Sequence, residues 1–532
     1  MTIFVSPGPK WSERIAPPLT PLGGGSFEPL RAAIVDRRIA VQRLGVIGKN
    51  LTGATPEEIR RRLDRAWIAA LAMRSAKARS IAASIELKLA DLPQAPADEF
   101  RGEIELLETT ARLLNGETPT AWSDARPDSS GLGARLSRIG AWRDGDIGRF
   151  YALARAANAP PGGRHLQIAA VYERAVEAAV EAQQLRLAPA RQLAEDAIAL
   201  APSGKLGGAA KLLPTVLLAE LSYEQGHVDL AWSMLEDRLS LLREHGCLES
   251  ANRAYPLLSR IAARRGDSAS AVMLLRDGEQ LGQQRGWPRL TATCLYARTE
   301  IFLAEGRLEE AQACRLGLDR LAGQRRFASG QLDPAAYATL AGARLALQAD
   351  DGGGAEIVAA IRQMQRTAIA RHDLQLGVYL SIRMIDALAA IGETEEALSL
   401  LCRLLELAVH TGLYQTLLDG GPRIAALLQV ADAHISASGK LRHLASYSRS
   451  LAEHSAVTQQ AASASRCSRG PLSQRECAIL RLIGRGYSNK QIGKQLGIAF
   501  ETVKSHAKNI YAKLGAGNRA EAVSKAERFG FI

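Results

Sequence analysis

The sequence predicts an all-α protein, a long array of helical hairpins followed by a small four-helix domain. Three observations carry that reading. The 532 residues are 47% apolar but only 5% aromatic, with abundant Ala, Leu, Arg and Glu and few β-branched runs, a composition that favours helices throughout. A glycine-started turn recurs at a fixed period through the middle of the chain. The last stretch, from Pro471 to Ile532, holds three helix-start signals and +7 of the chain's net charge of +12.

Residues 1–52 contain Pro7, Pro9, Pro17, Pro18, Pro21 and the run Gly23-Gly24-Gly25, which oppose a continuous helix and predict an N-terminal arm. Gly45 to Asn50 resembles a phosphate loop only faintly and lacks the GxxxxGK[ST] spacing. The opening residues show no basic stretch followed by an apolar core, and no run reaches the ~18 apolar residues of a membrane helix. A cytoplasmic protein with no membrane partner is expected. The six cysteines form no CxxC pair and no cluster with histidine, as suits scattered thiols in a reducing compartment. No nucleophile elbow, metal-spaced histidine pair or acid–base constellation appears, so neither an enzyme nor a cofactor is expected.

Residues 53–455 open on the helix start Thr55-Pro56-Glu57-Glu58 and then repeat helix, short turn, helix. The turn reads Gly226-HVDL-Ala231, Gly266-DSAS-Ala271, Gly306-RLEE-Ala311 and Gly392-ETEE-Ala397. The glycines at 226, 266 and 306 are 40 residues apart and the fourth follows after two longer units, with a weaker copy near Asp350 to Gly354 between. The small residue five positions past each glycine lets the two helices of a hairpin approach closely. Self-similarity at this period marks a helical solenoid, whose units bury their faces only by stacking on neighbours; the repeats are TPR-like and slightly long. Residues 57–200 are helical in pattern but do not phase onto this unit. Glu220, Glu224, Glu300, Asp350, Asp351 and His372 could line a groove, although a solvated face or a cap explains each. Trp232, Trp287, Tyr255 and Tyr296 at helical spacing fit a core better than a ligand stack, so the effector site stays unassigned. Residues 456–470, small and polar, read as a linker.

In residues 471–532, Ser473 with Glu476, Ser488 with Gln491 and Asn518 with Glu521 each pair a capping side chain with a Glu or Gln three residues on. Gly486, Gly497 and Gly515 stand where the first three helices should stop. On the third helix Val503, Ala507, Ile510 and Leu514 form one stripe, while Lys504, Ser505 and Lys508, with Glu501 beside them, point the other way. Docking the stripe on the two preceding helices leaves the polar side standing out, as a helix entering a major groove requires. The concentrated basic charge fits attraction to phosphate.

In these features the segment resembles the C-terminal domain of LuxR-type transcription regulators. The residues that match are Leu472, Arg475, Glu476, Gly486, Ser488-Asn489-Lys490, Ile492, Leu496, Thr502 to His506, Ile510-Tyr511, Lys513-Leu514 and Asn518 to Ala522. The resemblance implies that Lys504, Ser505 and Lys508 read base edges. It implies that Ser488, Asn489, Lys490, Thr502, His506, Tyr511 and Lys513 hold the DNA backbone, and that Ala522, Val523 and Ala526 pair two such domains. Ala499 and Phe500 depart from the Ser and Pro usual in that family, and losing a Ser N-cap costs ~1 kcal/mol. Helical repeats followed by such a domain are similar to the C-terminal part of MalT-like activators, here without an ATPase module. The resemblance thus implies a sequence-specific transcription regulator, an activator by analogy. It would bind an inverted-repeat operator in double-stranded DNA as a homodimer, contact RNA polymerase, and respond through its helical body to a small-molecule or protein effector. The alternative is a protein-interaction scaffold tethered to DNA by its C-terminal domain.

Overall fold

The structure, a computed structural model, describes residues 55–71, 74–90, 92–114, 132–153, 164–203, 205–324, 332–349, 354–437 and 443–468, and in the C-terminal domain 479–480, 482–484, 486–496, 503–504, 507–508, 510–511, 516 and 518–528. The expected arm, the Gly45 to Asn50 stretch, Asp350, Asp351 and the Ser473–Glu476 cap lie outside the described residues. Those that are described form helices and connecting turns, with no strand among them.

The first block holds α1 (Pro56–Leu71), α2 (Ser75–Leu89), α3 (Gln94–Leu114), α4 (Leu132–Arg143) and α5 (Ile147–Ala152). Hairpins then follow as α6 (Arg164–Gln183) with α7 (Leu187–Leu200), α8 (Lys205–Ala210) leading into α9 (Leu212–Glu224) with α10 (Val228–Ser233), and α11 (Leu239–His245). The regular units are α12 (Leu248–Arg264) with α13 (Ser268–Arg285), α14 (Pro288–Ala304) with α15 (Leu308–Gln324), α16 (Pro334–Ala349) with α17 (Gly354–Ala370), and α18 (Leu374–Ala390) with α19 (Thr394–Thr411). The short α20 (Gln415–Leu418), α21 (Pro422–Ala437) and α22 (Ala445–Ser468) end the array. The last of these helices continues through most of the stretch expected to be a linker.

The turn inside each hairpin follows one physical plan. Gly226, Gly266, Gly306 and Gly392 have φ of +84°, +82°, +73° and +85°, the left-handed region where a glycine avoids a Cβ clash. The amide of each glycine donates three residues back, and the next amide donates five back, as in Gly266 N to Ala263 O and Asp267 N to Ala262 O, both 3.0 Å. Those two bonds satisfy the last carbonyls of the first helix. Asp267 then caps α13 by accepting from Ser270 N at 3.0 Å. Ala231, Ala271, Ala311 and Ala397 are fully buried, where only a small side chain fits between the paired helices.

The same turn recurs at Gly145 (φ +74°) and at Leu185 (φ +58°), with Leu185 N donating to Ala182 O and Arg186 N to Glu181 O, each at 2.9 Å. The ruler therefore extends to 145 and 185, a period of 40 or 41 up to residue 306. A glycine pattern could not find residue 185, because a leucine occupies the left-handed position there. Its side chain is buried in the cluster built mostly from residues 292–451, and that packing offsets the backbone strain.

The first helix of each hairpin forms the inner layer and the second the outer layer. The inner layer curves back on itself, since α6 packs against α18 and α9 against α20. Gln184 donates to the His372 carbonyl across this closure.

Candidate nucleic-acid interface and inner cavity

In the C-terminal domain, Ile479, Leu480, Leu482, Ile483, Ile492, Val503, Ala507, Ile510 and Ala522 form a buried core. Residues 479–480 and 482–484 are helical, and Gly486, with a φ of +86°, turns the chain after them. α23 (Asn489–Leu496) starts with a reciprocal cap in which Ser488 N donates to Gln491 Oε1 at 2.8 Å and Gln491 N to Ser488 Oγ at 3.4 Å. α24 (Arg519–Arg528) starts with Asn518 Oδ1 accepting from Glu521 N at 2.8 Å.

Residues 503–504, 507–508 and 510–511 are helical. Val503, Ala507 and Ile510 point into the core, and Lys504 and Lys508 are exposed on the other side. Ser488 and Lys490 are exposed, Asn489 is half-buried, and Tyr511 packs half-buried against the core. Thr502, Ser505, His506, Lys513 and Leu514, together with the departure at 499–501, lie outside the described residues, as does the side chain of Ala526. Ala522 sits inside the domain's own core, and the half-buried Val523 packs against the same core. Arg519 has no role in the family pattern above, yet it donates to Ile483 O at 3.0 Å and Tyr487 O at 2.6 Å. It thereby ties the start of α24 to the end of the first helix, a contact that no local pattern announces.

The inner layer of the repeats encloses a cavity of about 2540 Å³. A ladder of ion pairs links α9, α12, α14, α16, α18 and α21 along it. Arg253 pairs with Glu220 at 2.6 Å, Arg289 with Glu249 at 2.8 Å and Arg344 with Glu300 at 2.9 Å, and Arg344 and Arg423 both reach Asp386. Burial alone would raise the Glu300 carboxyl, but the Arg344 and Arg383 charges outweigh it and hold the group below the usual carboxylate value. Removing one partner of such a partly buried pair leaves the other charge uncompensated. Tyr296 and Tyr379 add a hydroxyl–hydroxyl bond of 2.8 Å on the same wall.

One stretch, residues 413–419, joins three parts of the molecule. The Glu224 carboxylate at the end of α9 accepts from Tyr414 N at 2.9 Å, Thr416 N at 3.1 Å and Thr416 Oγ1 at 2.5 Å. Burial raises its pKa, and these three bonds oppose the shift. Asp419 accepts from Tyr223 at 2.7 Å and Arg264 at 2.9 Å. On the opposite side the Tyr414 hydroxyl meets Ser450 at 3.1 Å and His454 at 3.0 Å, and Tyr447 donates to the Leu413 carbonyl, all on α22. Leu413, Thr416 and Asp419 also line the cavity.

Of the other polar positions that the sequence raises, Glu220 and Glu300 belong to the ladder and Glu224 to the closure. His372 is a left-handed turn residue with φ +58°. Trp287 and Tyr255 are core, as expected. Trp232 lies outside the cavity wall with the Arg265 guanidinium 4.6 Å over its ring.

The family model "MalT-like TPR region" matches residues 152–434, more than half of the chain. The chain belongs to the MalT-like TPR family. Residues 470–526 match "Bacterial regulatory proteins, luxR family", which makes the C-terminal domain a LuxR-family helix-turn-helix. Over 58 residues the chain is 52% identical to the HTH-type transcriptional regulator MalT of Yersinia pestis (strain Pestoides F), and over 58 residues 50% identical to that of Serratia proteamaculans (strain 568). Each match covers 11% of this chain and 6% of the relative. A solved structure of a Rap protein complexed with Competence and Sporulation Factor aligns with 76% of this chain and 99% of its own, at 14% identity and a TM-score of 0.44. Both matched families are regulatory or helical-repeat rather than enzymatic. Among the described residues no group of His, Cys, Asp and Glu could hold a metal ion, and no helix is long and apolar enough to cross a membrane.

Proposed function

We propose that this protein is a DNA-binding transcription regulator, an activator by analogy with its MalT relatives, whose repeat body responds to an effector held in the inner cavity. The observation that carries the DNA-binding part is the third helix of the C-terminal domain. Its Val503, Ala507 and Ile510 are spent on the core, so Lys504 and Lys508 stand in solvent where a groove can receive them. By the family pattern Ser505 reads bases beside them, with Ser488, Asn489, Lys490, Thr502, His506, Tyr511 and Lys513 on the backbone. Two such domains on an inverted repeat would bring RNA polymerase to a promoter.

The response to an effector is supported by the 413–419 stretch. It lines the cavity, holds α9 through Glu224, and holds α22, the helix that runs toward the DNA-binding domain. An effector binding one arrangement of this stretch better than another shifts how the DNA-binding domains are presented. The inner ladder offers interleaved donors and acceptors, which suits a polar effector, whether a small molecule or a polypeptide segment.

The test is binding of the full chain to duplex DNA over a salt series. Lys504→Ala and Lys508→Ala should each cost about 1–3 kcal/mol and relax base preference if they read bases, or flatten the salt slope by about one if they hold phosphate. Unchanged affinity, preference and slope in both variants would refute the assignment.

A further inference from the structure

A second cavity, of about 660 Å³, lies where α1 and α2 meet α8 and α11. Ile68, Ala69, Ile81 and Ala209 give it apolar walls, and Arg62, Arg65, Arg74, Lys77 and His245 contribute to its lining, with no carboxylate on the wall. Arg62 is engaged by Glu58 at 2.8 Å, and His245 Nε2 lies 3.5 Å from the Glu244 carboxylate. Arg65, Arg74 and Lys77 are exposed, and their side chains take part in no hydrogen bond or ion pair among the described residues. In the large inner cavity the arginines of the ladder are matched by carboxylates from neighbouring helices. Here like charges converge on an apolar hollow with little to balance them, an arrangement that a bound anion relieves.

We propose that this pocket binds a small phosphate ester with an apolar body, at a site separate from both the DNA-binding domain and the inner cavity. Guanidinium forks match phosphate oxygens in pairs, and a lysine adds a point charge. Three uncommitted cations suit a dianion better than a single carboxylate. The volume lies within the roughly 300–1,000 Å³ usual for small-ligand pockets, and the four apolar wall residues can cover a ring. A DNA duplex is too wide to enter such a hollow and could only touch its rim.

The test is calorimetric titration of the full chain with 2-naphthyl phosphate, 2-naphthol and inorganic phosphate as probes. The ester should bind at least tenfold tighter than either fragment, because each fragment satisfies only one half of the site. The triple variant Arg65→Gln, Arg74→Gln, Lys77→Gln should lose at least tenfold in affinity for the ester while melting at the wild-type temperature. The three side chains are exposed, so folding should survive, and Arg74→Gln alone provides a second variant. No binding of the ester at millimolar concentration overturns the proposal, as does 2-naphthol binding as tightly as the ester. So does a variant that binds the ester like the wild type and weakens only on duplex DNA, which would reassign the rim to DNA contact.

Discussion

Leu185 shows at the scale of one residue how packing overrides local preference. A left-handed backbone at a non-glycine residue costs roughly 1–2 kcal/mol, yet the side chain is 3% exposed and packs into a cluster built from residues more than a hundred positions later. Replacing Leu185 with Gly should relieve the backbone but lose a buried leucine, worth about 2–5 kcal/mol. The net expectation is a loss of about 0–4 kcal/mol in chemical denaturation, and a stabilised variant would show that packing does not hold this turn. Ala271 makes the complementary case. It is fully buried opposite its hairpin partner, so Ala271→Leu should cost about 1–3 kcal/mol by overpacking, read as a lower melting temperature. The turn glycines and these alanines were legible in the sequence because both constraints are local. Leu185 was not, because what permits it lies far along the chain.

Among the elements, the 413–419 stretch shows the same limit on a larger scale. Its own residues form only the four-residue helix α20, and nothing in their pattern announces Glu224, so distant along the chain, as a partner. Glu224→Ala leaves two backbone amides and the Thr416 hydroxyl without their acceptor, and unpaired buried polar groups cost about 1–3 kcal/mol each. Hydrogen exchange should rise in residues 413–419 and in the start of α22, while α12–α15 keep their protection. Unchanged exchange in α22 would show that the stretch does not couple α9 to that helix. α13 depends on close approach of a different kind, because a Cβ at Gly278 would lie 2.8 Å from Cys294 Sγ and 2.9 Å from the Tyr255 ring. The sequence marks that position only as a glycine inside a helix.

For the whole molecule, the inner ladder gives stability a defined response to pH. Glu300 is held below its ordinary value of 4.5, so it contributes stability above that pH and loses it as the pH falls through the folded value. Glu224 is raised, so its carboxyl favours the fold as the pH falls from its raised value toward the ordinary one. Melting curves from about pH 3 to 7 should show Glu300→Gln weakening the loss on the acid side and Glu224→Gln flattening the mildly acidic side. If both variants track the wild type throughout, the two carboxyls do not govern the profile.

By itself the sequence determined the helices, the period of the hairpin turns and the helix-turn-helix domain, because caps, left-handed glycines and apolar stripes act over a few residues. It also determined which side of the third helix would face outward, since a core stripe at 503, 507 and 510 leaves 504 and 508 no other place. Only the tertiary structure decided that the repeats curl until α9 meets residues 413–419. Only it decided that inner arginines meet carboxylates from other repeats, as Arg289 meets Glu249 and Arg383 meets Glu300, and that a basic pocket opens between the first hairpin and α11. Those features depend on the small rotation from one repeat to the next, summed over the array. No short window of sequence carries that sum.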